Sequence, residues 1–461
     1  MENFRKTTRI EVSAAELERW HFRPGAFQRL TPPWENVEVV EEPGEITDGA
    51  RAVIKTKIIG PISTQWIAEH KDCIAGNGFT DIQIKGPFAY WKHVHTFKDA
   101  DENSCTLDDS IDYRLPMGFL GKMFGGGFVR TKLERTFRYR HALTKMDLER
   151  QASEPGTITK PMTVLVTGAT GMVGSALEGY LKMRGHRVRR VTRRPTRPDD
   201  VRWDSGKGEF DLPKDAVIDA VVHLAGENVA GGRWSAARRQ RILGSRREGT
   251  RLLCETIAKL DRPPSVLVSA SGVNYYETGT EMPVDESEPR GSGFLSDVCE
   301  VWESNTSAAE AAGIRTVHLR LGVILSPAGG ALAKMLPAFQ FGVAGRLGTG
   351  TQRIAWISLD DVIDIIHRAT LDERFTEAIN AVAPDIVTNS EFTETLADIL
   401  HRPAILPVPA LALQLALGEQ MANETLLADL AIAPGKLEQL GYPFRFPRLD
   451  SALAYMLGRS T

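Results

Sequence analysis

The residues best suited to hold a nucleotide lie in one short stretch. Thr163-Val-Leu-Val-Thr-Gly-Ala-Thr-Gly-Met-Val-Gly174 runs an apolar strand into Gly168, Gly171 and Gly174, and a helical pattern follows from Met172 to Arg184. The first glycine permits a tight turn, the second lets the backbone approach a pyrophosphate, and the third lets helix and strand pack closely. Amides at the start of the helix then face the phosphates. Three glycines alone would say little, but between a strand and a helix they form the dinucleotide-binding fingerprint. The following strand ends Arg187-Val-Arg-Arg-Val-Thr-Arg-Arg194. An acidic side chain there would take the ribose hydroxyl of NAD; Thr192, Arg193 and Arg194 instead suit a 2′-phosphate, because a guanidinium is always charged and pairs in a bidentate way. The expected cofactor is NADP(H), a solvated basic turn being the bland alternative.

The elements that position this turn alternate between strand and helix from Met162 onward. Strands are expected at 163–167, 187–191, 216–224, 265–269 and 316–321, the pattern of a parallel α/β sheet. A helix from Ser235 to about Lys259 carries Arg238, Arg239, Arg241, Arg246 and Arg247; most read as a solvated face, with Arg246 the best placed to recruit an anion near the cofactor. The first 150 residues differ. Strand character over 4–12 is followed by Ser13-Ala-Ala-Glu16, a capping box opening a short helix. Strands are expected at 50–59, 62–69, 80–84 and 89–97, separated by turns such as Glu42-Pro-Gly44 and Gly76-Asn-Gly78. A long helix follows, with Val129, Leu133, Phe137 and Leu143 at near-helical spacing. The polar stretch 151–161 reads as a linker.

Composition bounds the functions. The 461 residues carry a net charge of -3, with 42% hydrophobic and 25% charged residues, the balance of a soluble protein with real cores and without the basic excess of a nucleic-acid binder. Cys73, Cys105, Cys254 and Cys299 form no Cys-x-x-Cys pair and read as isolated thiols of a reducing compartment. The N-terminus has no apolar signal region, and the longest uncharged apolar stretch, 404–417, holds two prolines and is too short to span a bilayer. A cytoplasmic protein with no integral membrane segment is expected.

The order strand, helix, meander, long helix over about 1–148, with Gly86-Pro-Phe-Ala-Tyr-Trp91, resembles the START-like (SRPBCC) helix-grip fold. That resemblance implies an α+β domain holding an apolar ligand, around which Trp66, Phe79, Trp91 and Phe97 could line a cavity or form a packed core. Thr167-Gly-Ala-Thr-Gly-Met-Val-Gly174 resembles the extended short-chain dehydrogenase/reductases of the epimerase/dehydratase group. His223-Leu-Ala-Gly-Glu-Asn228, Ser245-Arg246, Ser269-Ala-Ser271 with Tyr275-Tyr276, Arg320-Leu-Gly-Val-Ile-Leu325, Gly348–Ser358 and Gly441-Tyr-Pro-Phe-Arg-Phe446 are similar to an atypical epimerase family sometimes labelled SulA-like, or cell-division inhibitor. The resemblance covers about 162–458. It implies a doubly wound Rossmann domain over 162–400 and a small helical C-terminal domain over 401–461, after a START-like domain over 1–150. By position it implies that Gly168, Thr170, Gly171, Met172 and Val173, with Thr167 at the start of the fingerprint, hold the pyrophosphate. Arg193, with Arg194 beside it, would take the adenosine phosphate. Leu224, Ala225 and Gly226 would line the ribose and adenine side, and Ser269 and Ser271 the nicotinamide. Gln352 and Trp356 would face a small-molecule substrate.

One departure matters. Dehydrogenases of this superfamily pair tyrosine with lysine four residues later, so that the phenol exchanges a proton near neutral pH. None of the eight tyrosines here has that lysine, and the segment where the pair should fall, Ser292–Cys299, offers Phe294 or Leu295 and Val298 or Cys299. Tyr275 or Tyr276 could substitute, though aromatic packing at a strand end is the commoner role; Cys299 reads as core packing. His93-x-His95 puts two rings on one strand face, but a third ligand is needed for zinc and none is legible, so no metal is expected. Asp360 reads as a helix cap or a substrate ligand. The leading function is an NADP(H)-dependent oxidoreductase or epimerase acting on a small molecule. An NADPH-sensing regulator and a lipid-binding carrier are the alternatives.

Overall fold

Burial with a period of two organises the N-terminal part. Along Tyr90–Asp101, Trp91, His93, His95 and Phe97 are buried while their neighbours are half-buried, as expected of a strand with one face turned inward. The computed structural model describes residues 1–35, 37–41, 46–59, 62–116, 118–153 and 160–460. It divides into two units, Met1–Ile158 with Ala454–Ser460, and Thr159–Leu453.

In the first unit, strands β1 (Glu2–Ile10), β2 (Val37–Glu41), β3 (Arg51–Ile59), β4 (Ile62–Ile74), β5 (Gly78–Lys85), β6 (Tyr90–Asp101) and β7 (Ser104–Arg114) form one antiparallel sheet in the order β1-β7-β6-β5-β4-β3-β2. Helix α1 (Ala14–Phe22) starts at Ser13, whose hydroxyl accepts from the Glu16 amide at 3.3 Å; α2 (Ala26–Leu30) follows. The long helix α3 (Gly118–Ala152) packs Leu133 and Phe137 against Phe4, Trp91, Ile111 and Tyr113 of the sheet. The aromatic residues weighed as cavity lining pack on one another: Trp66 lies edge-on to Trp91 at 5.1 Å and to Phe88 at 5.7 Å, and Phe79 stacks on His95 at 4.3 Å. Most of the expected linker, and the turn at 42–44, lie outside the described residues.

The second unit is built on β8 (Thr163–Thr167), α4 (Met172–Met183), β9 (Arg187–Thr192), β10 (Val201–Asp204), β11 (Glu209–Phe210), β12 (Ala220–His223), α5 (Ala236–Ile257), β13 (Val266–Gly272), α6 (Phe294–Ser304) and β14 (Arg315–Leu321). Its sheet runs β11-β10-β9-β8-β12-β13-β14 and ends with Glu377–Ala381, parallel throughout except for β11. This is the Rossmann order, with its reversal between β8 and β12. Both faces are covered, which is why the strands read as near-continuous apolar runs: Val164 and Val166 pack towards α4 and the helix Leu359–Leu371, while Leu165, Val221 and Leu267 pack with Leu253 and Ile257 of α5. The strand expected from Ala216 begins only at Ala220, because Ala216 closes a turn on the Pro213 carbonyl at 3.1 Å. Residues 401–453 belong to this unit and carry the helices Ala410–Leu417, Glu419–Glu424 and Gly435–Gln439. Among the described residues, no helix is long and apolar enough to cross a membrane.

Candidate functional site

The site begins where β8 and β12 part. Gly168 has φ 68°, and a Cβ there would stand 2.9 Å from the Leu224 carbonyl carbon and 3.0 Å from the Ala225 nitrogen; conformation and space both demand glycine. A Cβ on Gly174 would come within 2.3 Å of the Gly168 oxygen and 2.6 Å of the Ala169 Cα, so the first turn of α4 can only lie this close to β8 without a side chain. Gly171 is the N-cap of α4 and supplies no capping side chain, so the amides of the first turn are left for an anion. Thr170 and Gly171 are exposed, and Met172 and Val173 half-buried. These features fit a pyrophosphate cradle.

Thr167 plays a different part. It is fully buried, with its hydroxyl 2.7 Å from His223 Nδ1 and accepting from the amides of Leu224 at 3.1 Å and Ala225 at 3.2 Å. It therefore ties the fingerprint to the loop after β12. Burial, with the charge of Arg246 adding to it, pushes His223 down to about 3, so the ring is neutral and can share hydrogen bonds with Thr167 and with Thr250 at 3.1 Å. Half-buried Leu224 and Ala225 and exposed Gly226 lead away from β12. Gly226 leaves room for the Arg246 guanidinium, which a Cβ would meet at 3.0 Å. That guanidinium donates to the Glu227 carbonyl at 3.0 Å and lies 4.4 Å from the centre of the Trp302 ring. At the end of β9, Arg190 is committed to Asp200 at 2.8 and 2.6 Å. Arg193 and Arg194 are exposed, and among the described residues neither side chain has an ion-pair or hydrogen-bond partner.

Next to β12, β13 delivers Ser269 and Ser271, both buried. Ser271 donates to Glu303 of α6 at 2.6 Å; Glu303 takes Arg320 of β14 in a two-pronged pair at 2.9 and 2.8 Å; Arg320 donates to the Tyr276 hydroxyl at 2.7 Å, and Tyr276 donates to Asn380 at 2.8 Å. Burial pushes Tyr276 up to about 12 despite the neighbouring guanidinium. Tyr276 is thus locked as a structural hydroxyl. Tyr275 differs: it is half-buried, its ring lies 3.4 Å beneath the Arg320 guanidinium, and its hydroxyl has no partner among the described residues.

Residues 164–381 match the model of the NAD dependent epimerase/dehydratase family, and 408–456 match a Domain of unknown function (DUF1731). An epimerase family protein of Mycobacterium bovis is 38% identical over 297 residues, covering 64% of this chain and 98% of that one. The chain belongs to the NAD-dependent epimerase/dehydratase family. The human family protein SDR39U1, solved with NADPH, is 35% identical with a TM-score of 0.59, over 64% of this chain and 99% of that one. A structure described as a nucleoside-diphosphate sugar epimerase, from Corynebacterium glutamicum, is 29% identical with a TM-score of 0.80, over 99% of this chain and 90% of that one.

This family member presents an apolar helix where a tyrosine–lysine pair is usual. Phe294, Leu295, Val298 and Cys299 are all buried on α6, and burial pushes the Cys299 thiol up to about 11, which leaves it inert. The free amides of Phe294 and Leu295 are capped by Glu424 at 3.1 and 2.7 Å. Gly293, with φ 103°, leaves space for that carboxylate. Glu424 was not legible as a site residue because its partners lie about 130 positions away; Asn380 lies 104 positions from Tyr276, and Glu303 lies 32 from Ser271 and 17 from Arg320, each on another element. Gln352 donates to the carbonyls of Leu347 at 3.0 Å and Leu426 at 3.2 Å, holding the C-terminal segment in place. Trp356 is fully buried and its indole donates to the Asp385 carbonyl at 2.7 Å, which puts it in the core. Ser358, not Asp360, is the N-cap of the following helix. The loop Ser326–Gly330 returns to the fingerprint, where a Cβ on Gly329 would meet Met172 Sδ at 3.2 Å.

Proposed function

We propose that this chain binds NADP(H) and carries out hydride transfer on a small molecule. The observation that carries the cofactor choice is the pair Arg193–Arg194, exposed and unpaired at the end of β9 where an NAD-specific site would place an acid. Gly168, Thr170, Gly171, Met172 and Val173 would hold the pyrophosphate, and Leu224, Ala225 and Gly226 the ribose and adenine side. The human relative's structure with NADPH supports the same cofactor. When bound, the nicotinamide supplies or accepts a hydride at its C4. What this chain's residues contribute is placement: Ser271, fixed by Glu303, and Tyr275, fixed by Arg320, border the position where that ring would end. Tyr275 is the proton-exchanging hydroxyl in this reading, since Tyr276 is committed to Arg320 and Asn380. Gln352 belongs to the wall of the substrate side. The antiparallel sheet and long helix of the N-terminal unit support a START-like reading, in which it would hold a second ligand.

Calorimetric titration with NADPH and NADH tests the cofactor reading, which is abandoned if NADH binds as tightly. Native mass spectrometry of the gently purified chain adds a direct view of any retained molecule. The apolar face of α6 favours one second reading, a regulator that senses NADPH without turnover. Isotope exchange at the nicotinamide C4 separates the two: exchange dependent on a carbonyl or alcohol substrate supports catalysis, and none across a broad panel supports sensing.

A further inference from the structure

The first unit buries a cluster of imidazoles and carboxylates that the nucleotide site does not use. β6 turns His93 and His95 to one face, with ring centroids 3.9 Å apart. In register, Asp81 of β5 stands beside His93, and Asp109 of β7 beside His95. His93, His95 and Asp109 are each more than nine-tenths buried. Asp81 Oδ2 lies 3.9 Å from His93 Nδ1 and 3.3 Å from His95 Nε2. One donor atom from each of these three residues falls within 4.8 Å of the others. The donors of a tetrahedral zinc ion stand roughly 3.3 Å apart, so a small inward movement would close the site.

We propose that Asp81, His93 and His95 bind one divalent first-row transition metal ion, with Asp109 and His70 holding the ligands in place.

The surroundings follow the logic of metal centres, in which ligand imidazoles lean on a carboxylate through their other nitrogen. His93 Nε2 hydrogen-bonds Asp109 Oδ1 at 3.0 Å, and His95 Nδ1 reaches the same oxygen at 2.7 Å, off the line a hydrogen bond needs. The other oxygen of Asp109 is held by His141 Nε2 at 2.7 Å, and His141 Nδ1 lies 2.8 Å from the Thr8 hydroxyl. The other oxygen of Asp81 is held by His70 Nδ1 at 2.5 Å. Phe79 stacks on His95, and Phe137 stands edge-on to His93 at 5.2 Å, giving an apolar wall. Two features argue against a hydrogen-bonded network complete in itself. His70 Nε2 is buried without a hydrogen-bond partner among the described residues, a state that folded proteins rarely keep, and His95 Nδ1 meets Asp109 only off the line of a good hydrogen bond. Two carboxylates also share one buried pocket with neutral or singly charged rings, and a divalent cation balances both. Two histidines and one carboxylate are a set used by zinc, iron(II) and manganese(II), and they leave coordination positions open to a small ligand.

The full-length chain, stripped with a chelator and dialysed, is titrated with Zn²⁺ and with Co²⁺, and bound metal is counted by plasma mass spectrometry. One equivalent of either ion per chain is expected, with visible Co²⁺ absorption bands and two paramagnetically shifted imidazole resonances. Asp81→Asn and His95→Gln should each lower the affinity at least about 100-fold, and Asp109→Asn by roughly 10- to 100-fold. Circular dichroism and the thermal unfolding of the first unit report whether each variant is folded. Absence of stoichiometric uptake by the wild-type chain overturns the proposal whatever the variants do. So does a Co²⁺ complex lacking imidazole resonances, or undiminished uptake in folded Asp81→Asn and His95→Gln; the cluster is then a hydrogen-bonded network only.

Discussion

Replacing Glu303 with glutamine should destabilise this chain strongly. The Arg320 side chain is 6% exposed and that of Glu303 12% exposed, and the two are joined at 2.9 and 2.8 Å. Glutamine keeps the shape but offers one neutral oxygen where two charged acceptors stood, leaving a buried guanidinium with that oxygen, the Tyr276 hydroxyl and the Tyr275 face and no counter-charge. Breaking one side of a buried pair costs about 3–5 kcal/mol, because the remaining charge is uncompensated. At about 2–4 °C per kcal/mol for a unit of this size, the melting temperature should fall by on the order of 10 °C. Arg320→Met should cost a similar amount, since Glu303 would keep only the Ser271 hydroxyl. The double variant Glu303→Gln/Arg320→Met should lose clearly less than the two single losses together, with a coupling of roughly 2 kcal/mol or more. Urea unfolding of all four proteins gives the cycle. Additive single effects would refute the reasoning, since they would mean that the charges are solvated and the Ser271–Asn380 chain of contacts is incidental.

Other outcomes follow from the same geometry. Arg193→Ala should weaken NADPH binding about 10- to 100-fold, the worth of a charge-assisted hydrogen bond, and leave NADH nearly unchanged; calorimetry of both nucleotides checks this, and an unchanged ratio removes Arg193 from the site. Gly174→Ala should destabilise by roughly 1–3 kcal/mol, because the new methyl meets the Gly168 backbone at 2.3 Å, and should abolish the thermal shift produced by NADPH. His186 and His367 face each other at 3.0 Å, and burial, with Arg184 adding to it, pushes His186 down to about 4 and His367 well below the usual value. The unfolded rings titrate near 6.5, so the unfolded state binds more protons below that pH. Stability should therefore hold above about pH 6.5 and be lost as pH falls towards 4, by about 2–3 kcal/mol for His186 alone. His186→Gln should flatten that slope in urea midpoints measured across the window, and an unaltered slope would mean that the pair does not set it.

How much could be read from the sequence depends on the distance over which each feature is determined. The fingerprint was legible because the strand, the turn and the helix are contiguous, and each glycine answers a local steric demand. The Rossmann order was legible in outline because strands buried on both faces read as apolar runs. Glu303, Arg320 and Asn380 sit on three separate elements, and nothing in their local spacing announces that Arg320 joins Glu303 to Tyr276 and that Tyr276 then reaches Asn380. His93 and His95 could be placed on one strand face from their spacing alone. Asp81, the ligand that spacing could not supply, comes from the neighbouring strand, and only the register of β5 against β6 brings it in. Trp356 shows the opposite failure: its type and position suggested a substrate wall, but a large aromatic ring with one polar atom is equally at home in a core once a carbonyl is available, and Asp385 provides it.

The same long-range logic explains how the chain holds its site without the usual tyrosine and lysine on α6. The start of that helix carries amides that would otherwise form an anion-attracting surface. Here Glu424, from the short helix Glu419–Glu424, occupies them, while the backbone carbonyl of the same residue accepts from the Asn274 side chain at 3.1 Å. Five residues later Asp429 pairs with Arg353 at 2.8 and 2.7 Å. The C-terminal segment is therefore fastened to the strand-end loop that carries Tyr275 and to the wall that carries Gln352. Its helices are a built part of the nucleotide-binding unit, and their anchor residue has a measurable consequence. Glu424→Gln should weaken the cap on α6 by about 1 kcal/mol, remove the negative charge that screens that helix start, and raise its affinity for sulfate as read by calorimetry. A Glu424→Gln protein with unchanged stability and unchanged sulfate affinity would show that the Glu424 carboxylate does not screen the amides of α6.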